Sequence, residues 1–429
     1  MSFEYKQSNR LNGAAYDVRN PKVRDIANRI DAENSQYSAE LKAQGKSDAE
    51  IKQTLLAEKK FLHKWHIGNP PVFGLQPPDE ITQKITQKIN YAYSASPGMP
   101  EPINAVFEYH QQQGLKNLKK ENIWLTDGIS EGIRLILFAA LNPGDEILLP
   151  TPNYPLWRLG SQLADAIPVH YICDEKNYWY PDIEDIKRKI NGRTKGIVLI
   201  NPNNPTGSVY PKKILLQILE IARQNHLIVF SDEAYSETLY DNNIHIPIAS
   251  LADDVLVFTF NGLSKNRLMP GLRTCWFVIT GPTENAVDLI NGLHLMTSAR
   301  LCSNTFGQNT IPIALPESDY IKKLVAPGGR LYEQMNLVHQ MVNEIPGLSC
   351  VKPQGGLYVY VKMDERFNIT NDEQFVIDLL NQQRIQIVQG SGFDDRSFPC
   401  HFRIVYLAPV EELKEGLERL KEFFKNYKQ

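Results

Sequence analysis

The sequence predicts an α/β protein: a large domain on a mostly parallel, seven-stranded sheet sandwiched by helices, plus a smaller α+β domain assembled from both chain ends. Three observations lead there. From residue 122 to 280, short apolar runs alternate with amphipathic stretches, the pattern of parallel strands covered on both faces. A chain of 429 residues, 42% hydrophobic and 22% charged, can bury one large core and a companion. The tail from Glu411 repeats apolar side chains at Leu413, Leu417, Leu420 and Phe424, one face of a closing helix that needs a further core to pack on.

Taken along the chain, residues 34–63 come first, rich in Glu, Lys, Gln and Ala. They read as two charged helices around Gly45, the second opened by a capping box, Ser47-Asp48-Ala49-Glu50. This segment is either a solvated surface hairpin or a lid or subunit-contact element. Strands are expected at 123–126, 146–149, 167–172, 196–200, 227–231, 255–260 and 275–279. Between the fourth and fifth, Pro211 opens a helix in its first turn, with Ile214, Leu215, Ile218, Leu219 and Ala222 on one face, completing a βαβ unit. Pro327-Gly328-Gly329 marks a junction. The expected division is 1–66, an N-terminal arm and charged segment belonging to the small domain; 67–325, the large domain; and 326–429, the small C-terminal domain.

Composition removes several function classes. Lys+Arg 46 against Asp+Glu 49 gives a net charge of -3, without a basic stripe, which speaks against nucleic acid as a partner. No run of about 18 apolar residues is present, so no membrane span is expected, and the polar start Met1-Ser2-Phe3-Glu4 lacks the apolar core of a secretion signal. The cytoplasm is the expected location. Five scattered cysteines without a C-x-x-C pair read as buried thiols, and no metal site is expected.

The chemistry gathers at the expected carboxyl ends of strands, where open α/β sheets build their crevices. Ser264-Lys265 follows the strand at 255–260, and a desolvated lysine there can attack an aldehyde to form a Schiff base. Asp232, in Ser231-Asp232-Glu233-Ala234-Tyr235, ends another strand among apolar neighbours, and a buried carboxylate needs a cation. The protonated pyridine nitrogen of pyridoxal 5'-phosphate (PLP) would be that cation, and would make the ring an electron sink. Glu233 is expected to face solvent or a helix end. Tyr235 either hydrogen-bonds the ring's phenolate oxygen or packs in the core. The turn Asn201-Pro202-Asn203-Asn204-Pro205-Thr206-Gly207 is stiffened by two prolines, and Asn204 can donate to that oxygen and to a substrate carboxylate. Gly128, Ile129 and Ser130 open a helix after the first strand and aim N–H groups at an anion, a phosphate cup. Arg273, eight residues after Lys265, supplies the neutralising charge, and Tyr154 a flat face for the ring.

These residues, in this order, resemble the fold-type I, class I and II PLP-dependent aminotransferases over roughly residues 64–429. The resemblance implies a homodimer with shared active sites, in which Tyr93 reaches the partner's cofactor phosphate and Arg403 clamps the substrate α-carboxylate. Within the family the chain is most similar to bacterial glutamate-pyruvate (alanine) aminotransferases, through Tyr16-Asp17-Val18-Arg19, Ile67-Gly68-Asn69-Pro70, Phe260-Asn261-Gly262-Leu263-Ser264-Lys265 and Val388-Gln389-Gly390. That likeness implies that Gly68 lies against the substrate while Tyr16 and Arg19 fold over it. The activity implied is ping-pong transamination between an amino acid, alanine or another small one or glutamate, and a 2-oxo acid. Lyase, decarboxylase or oxidase chemistry on the same scaffold is the alternative, followed by a non-catalytic binding paralogue. The chain departs from the family pattern in the length of 34–63, at Met99-Pro100-Glu101-Pro102-Ile103, and at Gly262, Arg267 and Cys275.

Overall fold

A computed structural model of the chain describes residues 21–86, 92–393 and 400–429. All seven expected strands form, within a few residues of their expected ends. They are β1 (Ile123–Asp127), β2 (Glu146–Thr151), β3 (Ile167–Asp174), β5 (Thr194–Ile200), β6 (Ile228–Asp232), β7 (Val257–Gly262) and β8 (Thr274–Thr280), with a two-residue β4 (Tyr180–Pro181) between the third and the fourth. The sheet therefore has eight strands rather than seven, in the order β1-β8-β7-β6-β5-β2-β3-β4. A two-residue edge strand leaves no apolar run to read. Strands β7, β6, β5, β2 and β3 are mutually parallel, whereas β8 runs antiparallel to both β1 and β7. The carboxyl ends of β1, β2, β5, β6 and β7 consequently lie along one edge.

The strands are continuously apolar because successive residues enter cores on opposite faces. Trp124, Phe230, Phe258 and Phe277 pack with Ile133 and Ile136 of helix Ile129–Ala140. Their neighbours Leu125, Val229, Val257 and Val278 pack with Leu215, Ile218 and Leu219 of helix Lys212–Gln224. Pro211 is the N-cap residue of that helix, one position before its first turn, with extended backbone.

A third core belongs to an antiparallel sheet of β9 (Leu348–Cys350), β10 (Tyr358–Met363), β11 (Val388–Gln389) and β12 (His401–Val405), in the order β9-β10-β12-β11. Leu413, Leu417, Leu420 and Phe424 of helix Val410–Asn426 enter it as their spacing predicts, and Val23, Ala27 and Ile30 of helix Pro21–Ala43 enter from the other chain end. Ser47 caps helix Asp48–Ala57 in a complete capping box with Glu50. That helical pair has its own small core of Leu41, Ile51 and Leu55, and Lys52 fastens it to Glu412 at 2.8 Å. Among the described residues no helix is long and apolar enough to cross a membrane.

Candidate active site

A cavity of about 560 Å³ opens where the strand ends meet the small sheet. Lys265 lies in the short helical turn Leu263–Asn266 directly after β7, and its amine donates to the Gly68 carbonyl. Burial lowers its pKa, and the nearby Arg403 and Arg273 push the same way. A lowered pKa makes an amine more readily available as a nucleophile and a base.

Asp232 closes β6 and is 4% exposed. Burial pushes its pKa up to about 6, against the pull of two donors: Trp157 Nε1 to Oδ2 at 3.2 Å and Ala234 N to Oδ1 at 3.3 Å. Among the described residues no cationic side chain pairs with this carboxylate, and a protonated ring nitrogen would supply that charge. Its neighbour Glu233 contradicts the expectation of a solvent-facing side chain. It is fully buried, accepting from Ser231 Oγ at 2.8 Å and lying 3.0 Å from His245 Nε2. Strand alternation turns it away from Asp232, and its partner arrives from a loop twelve residues on.

At another wall, Gly128 has φ +92 and serves as N-cap of helix Ile129–Ala140. A Cβ there would lie 2.0 Å from Arg273 Nη2, so only glycine lets the guanidinium lie against the helix start. Ile129, Ser130 and Arg273 line the cavity. The acidic residue of that first turn, Glu131, is held aside by Asp127 N at 2.6 Å and Arg300 Nη1 at 2.8 Å. This wall therefore combines helix N–H groups with a cation, an anion seat.

Arg403, from β12, crosses to the large sheet. Its Nη1 donates to Asn204 Oδ1 at 2.8 Å and its Nη2 to the His66 carbonyl at 2.6 Å, with the guanidinium over the rings of Tyr358 and Phe393 at 4.3 and 4.7 Å. Asn204 thus orients Arg403, a contact that its place in the proline-rich turn did not reveal. Tyr235 OH lies 2.6 Å from Tyr358 OH. Tyr154 and Gly68 also line the cavity, and a Cβ on Gly68 would meet Tyr358 OH at 2.7 Å.

The structure thus brings together Lys265, Asp232, Tyr235, Asn204, Ile129, Ser130, Tyr154, Arg273, Arg403 and Gly68, with Gly128 beneath Arg273. Tyr93 is 82% exposed and does not line this cavity. Tyr16 and Arg19 lie outside the described residues. Two residues escaped the sequence reading. Trp157 was visible three positions after Tyr154, but nothing in the spacing announced that its indole reaches Asp232. Tyr358 follows Gly355-Gly356-Leu357 and carries no local signal.

An amine, a carboxylate short of a cation and two separated anion seats suit a phosphorylated aldehyde with a basic ring, together with a carboxylate substrate. Residues 62–420 match the family described as aminotransferase class I and II. The chain belongs to the class I and II aminotransferases. The aminotransferase is 41% identical over 427 residues to the glutamate-pyruvate aminotransferase AlaA of Escherichia coli (strain K12), covering 99% of each chain. It is 41% identical over 429 residues to an alanine aminotransferase of Mycobacterium tuberculosis (strain ATCC 25618 / H37Rv), covering 99% of this chain and 94% of that one. Among solved structures, an aminotransferase from Escherichia coli superposes with a TM-score of 0.89 at 40% identity, covering 100% of both chains. An alanine aminotransferase from Pyrococcus furiosus gives 0.83 at 33% identity, covering 98% of this chain and 100% of that one.

Proposed function

We propose that this aminotransferase binds PLP at Lys265 and moves an amino group between alanine or glutamate and a 2-oxo acid. The observation that carries the reading is the single cavity lined by Lys265, Asp232 and Arg403. Arg273 with Gly128, Ile129 and Ser130 would hold the phosphate, Asp232 the ring nitrogen, Tyr154 the ring face, and Tyr235 with Asn204 the ring oxygen. When bound, the cofactor supplies an electron-withdrawing ring that takes up negative charge from the substrate's α-carbon.

The chain's own groups do the rest. Arg403 receives the α-carboxylate, its guanidinium already oriented by Asn204, the His66 carbonyl and two aromatic faces. Lys265 Nζ, its pKa lowered by burial, would serve as the base that takes the proton from the substrate α-carbon and returns it during the transfer. The choice of alanine and glutamate as amino donors is supported by the names of the relatives. A cytoplasmic homodimer with shared sites completes the reading, and the exposed aromatic ring of Tyr93 supports a subunit contact.

Lys265→Ala should abolish both turnover and the visible absorbance of lysine-bound cofactor. A variant that kept the band and the turnover would sink the assignment. For the wild-type protein, alanine or glutamate should discharge that band and pyruvate or 2-oxoglutarate restore it; oxygen uptake or ammonia release without a co-substrate would point to other chemistry.

A further inference from the structure

Gly262 and Cys275 meet at the anion seat. They are direct register partners across the antiparallel strands β7 and β8. A Cβ on residue 262 would lie 2.3 Å from Cys275 Sγ and 2.7 Å from its Cβ, so nothing larger than glycine fits opposite the cysteine. Cys275 is 1% exposed, yet it forms part of the cavity wall with Ser130, Ser264 and Arg273. The backbone N–H groups of Ile129 and Ser264 bear on Sγ, and Ser264 Oγ is 3.6 Å away. Ile129 N–H belongs to the helix start that receives an anion, so the sulfur borders the same place.

We infer that Cys275 is a further cofactor-binding residue, whose thiol donates to a phosphate oxygen of PLP from β8, in the room that Gly262 leaves on β7. The inference rests on the PLP reading above. With no side chain at residue 262, β7 offers no side-chain donor there, and the neighbouring strand supplies one instead. A thiol is a weak donor to neutral acceptors, and a phosphate anion strengthens the bond. Burial pushes the Cys275 pKa up, which keeps the proton on sulfur, where a thiolate would repel the phosphate.

Cofactor-free protein titrated with PLP, and separately with inorganic phosphate, tests this by quenching of intrinsic fluorescence. Cys275→Gly should weaken both ligands roughly tenfold, the scale of one hydrogen bond to a charged group, and Cys275→Ser should stay within about threefold of wild type. Gly262→Ser should bind poorly because its side chain collides with the cysteine. Wild-type affinity in Cys275→Gly, with an unchanged circular dichroism spectrum, would overturn the inference. If Gly262→Ser does not fold, Cys275→Gly and Cys275→Ser decide by themselves. Wild-type protein that takes up phosphate but no PLP would instead overturn the cofactor reading.

Discussion

Burial pushes the Asp232 pKa up to about 6, against about 3.9 for an aspartate in an unfolded chain. Between those values the cofactor-free folded protein binds more protons than the unfolded chain, so this group's contribution to stability falls as pH rises through the window. A shift of that size corresponds to on the order of 2–3 kcal/mol. The melting temperature of cofactor-free protein should therefore carry a component that declines from pH 4 to pH 6, and Asp232→Asn should remove it. Indistinguishable pH slopes for the two proteins would rule out a buried, unpaired carboxylate. Asp232 was legible in the sequence because it ends an apolar strand, where a charged residue needs a reason. Trp157 was not, because its indole meets that carboxylate only after helix Leu156–Leu163 has packed on the sheet, joining residues 75 apart in the chain.

Among the elements, the short turn that carries Lys265 owes its anchorage to Arg267. Arg267 is 1% exposed; its Nε donates to the Ala314 carbonyl at 2.8 Å, its Nη1 to Glu237 at 2.6 Å and its Nη2 to the Leu315 carbonyl. These carbonyls lie at the C-terminal end of helix Thr305–Ala314, at its last residue and its C-cap, so one side chain ties that helix end to the lysine turn. Arg267→Met should lower stability against urea by about 3 kcal/mol, because it leaves Glu237 poorly compensated. A loss below about 1 kcal/mol would make the brace a passenger. The strands were readable because covering both sheet faces writes continuous apolar runs into the sequence, and the capping box at Ser47 because it is a purely local bond pattern. Glu233 was misread because the group that satisfies it, His245, comes from a loop outside the strand, and the bracing role of Arg267 was not legible because Ala314 and Leu315 lie nearly fifty residues on. Spacing along a strand tells which way a side chain points and says nothing of the partner it finds there.

At the scale of the molecule, the site is a seam between two cores. Lys265, Asp232 and Arg273 come from the large sheet, Arg403 and Tyr358 from the small one, and Asn204–Arg403 and Tyr235–Tyr358 bond across it. Arg403 could be assigned before the fold was known only through family resemblance, since nothing within β12 marks it. Tyr93 extends the argument to a second copy: it lies outside its own chain's cavity and is 82% exposed. In a two-fold dimer, each Tyr93 would serve the site whose lysine belongs to the other subunit. Lys265→Ala should be inactive, and Tyr93→Ala should hold cofactor weakly and turn over poorly at limiting PLP. When the two variants are unfolded together in equal amounts and refolded, half of the dimers should be mixed. Each mixed dimer then carries one site with both Lys265 and the partner's tyrosine intact, returning about a quarter of wild-type activity. If Tyr93 served its own subunit, no intact site could form, and the mixture would show only the residual activity of Tyr93→Ala.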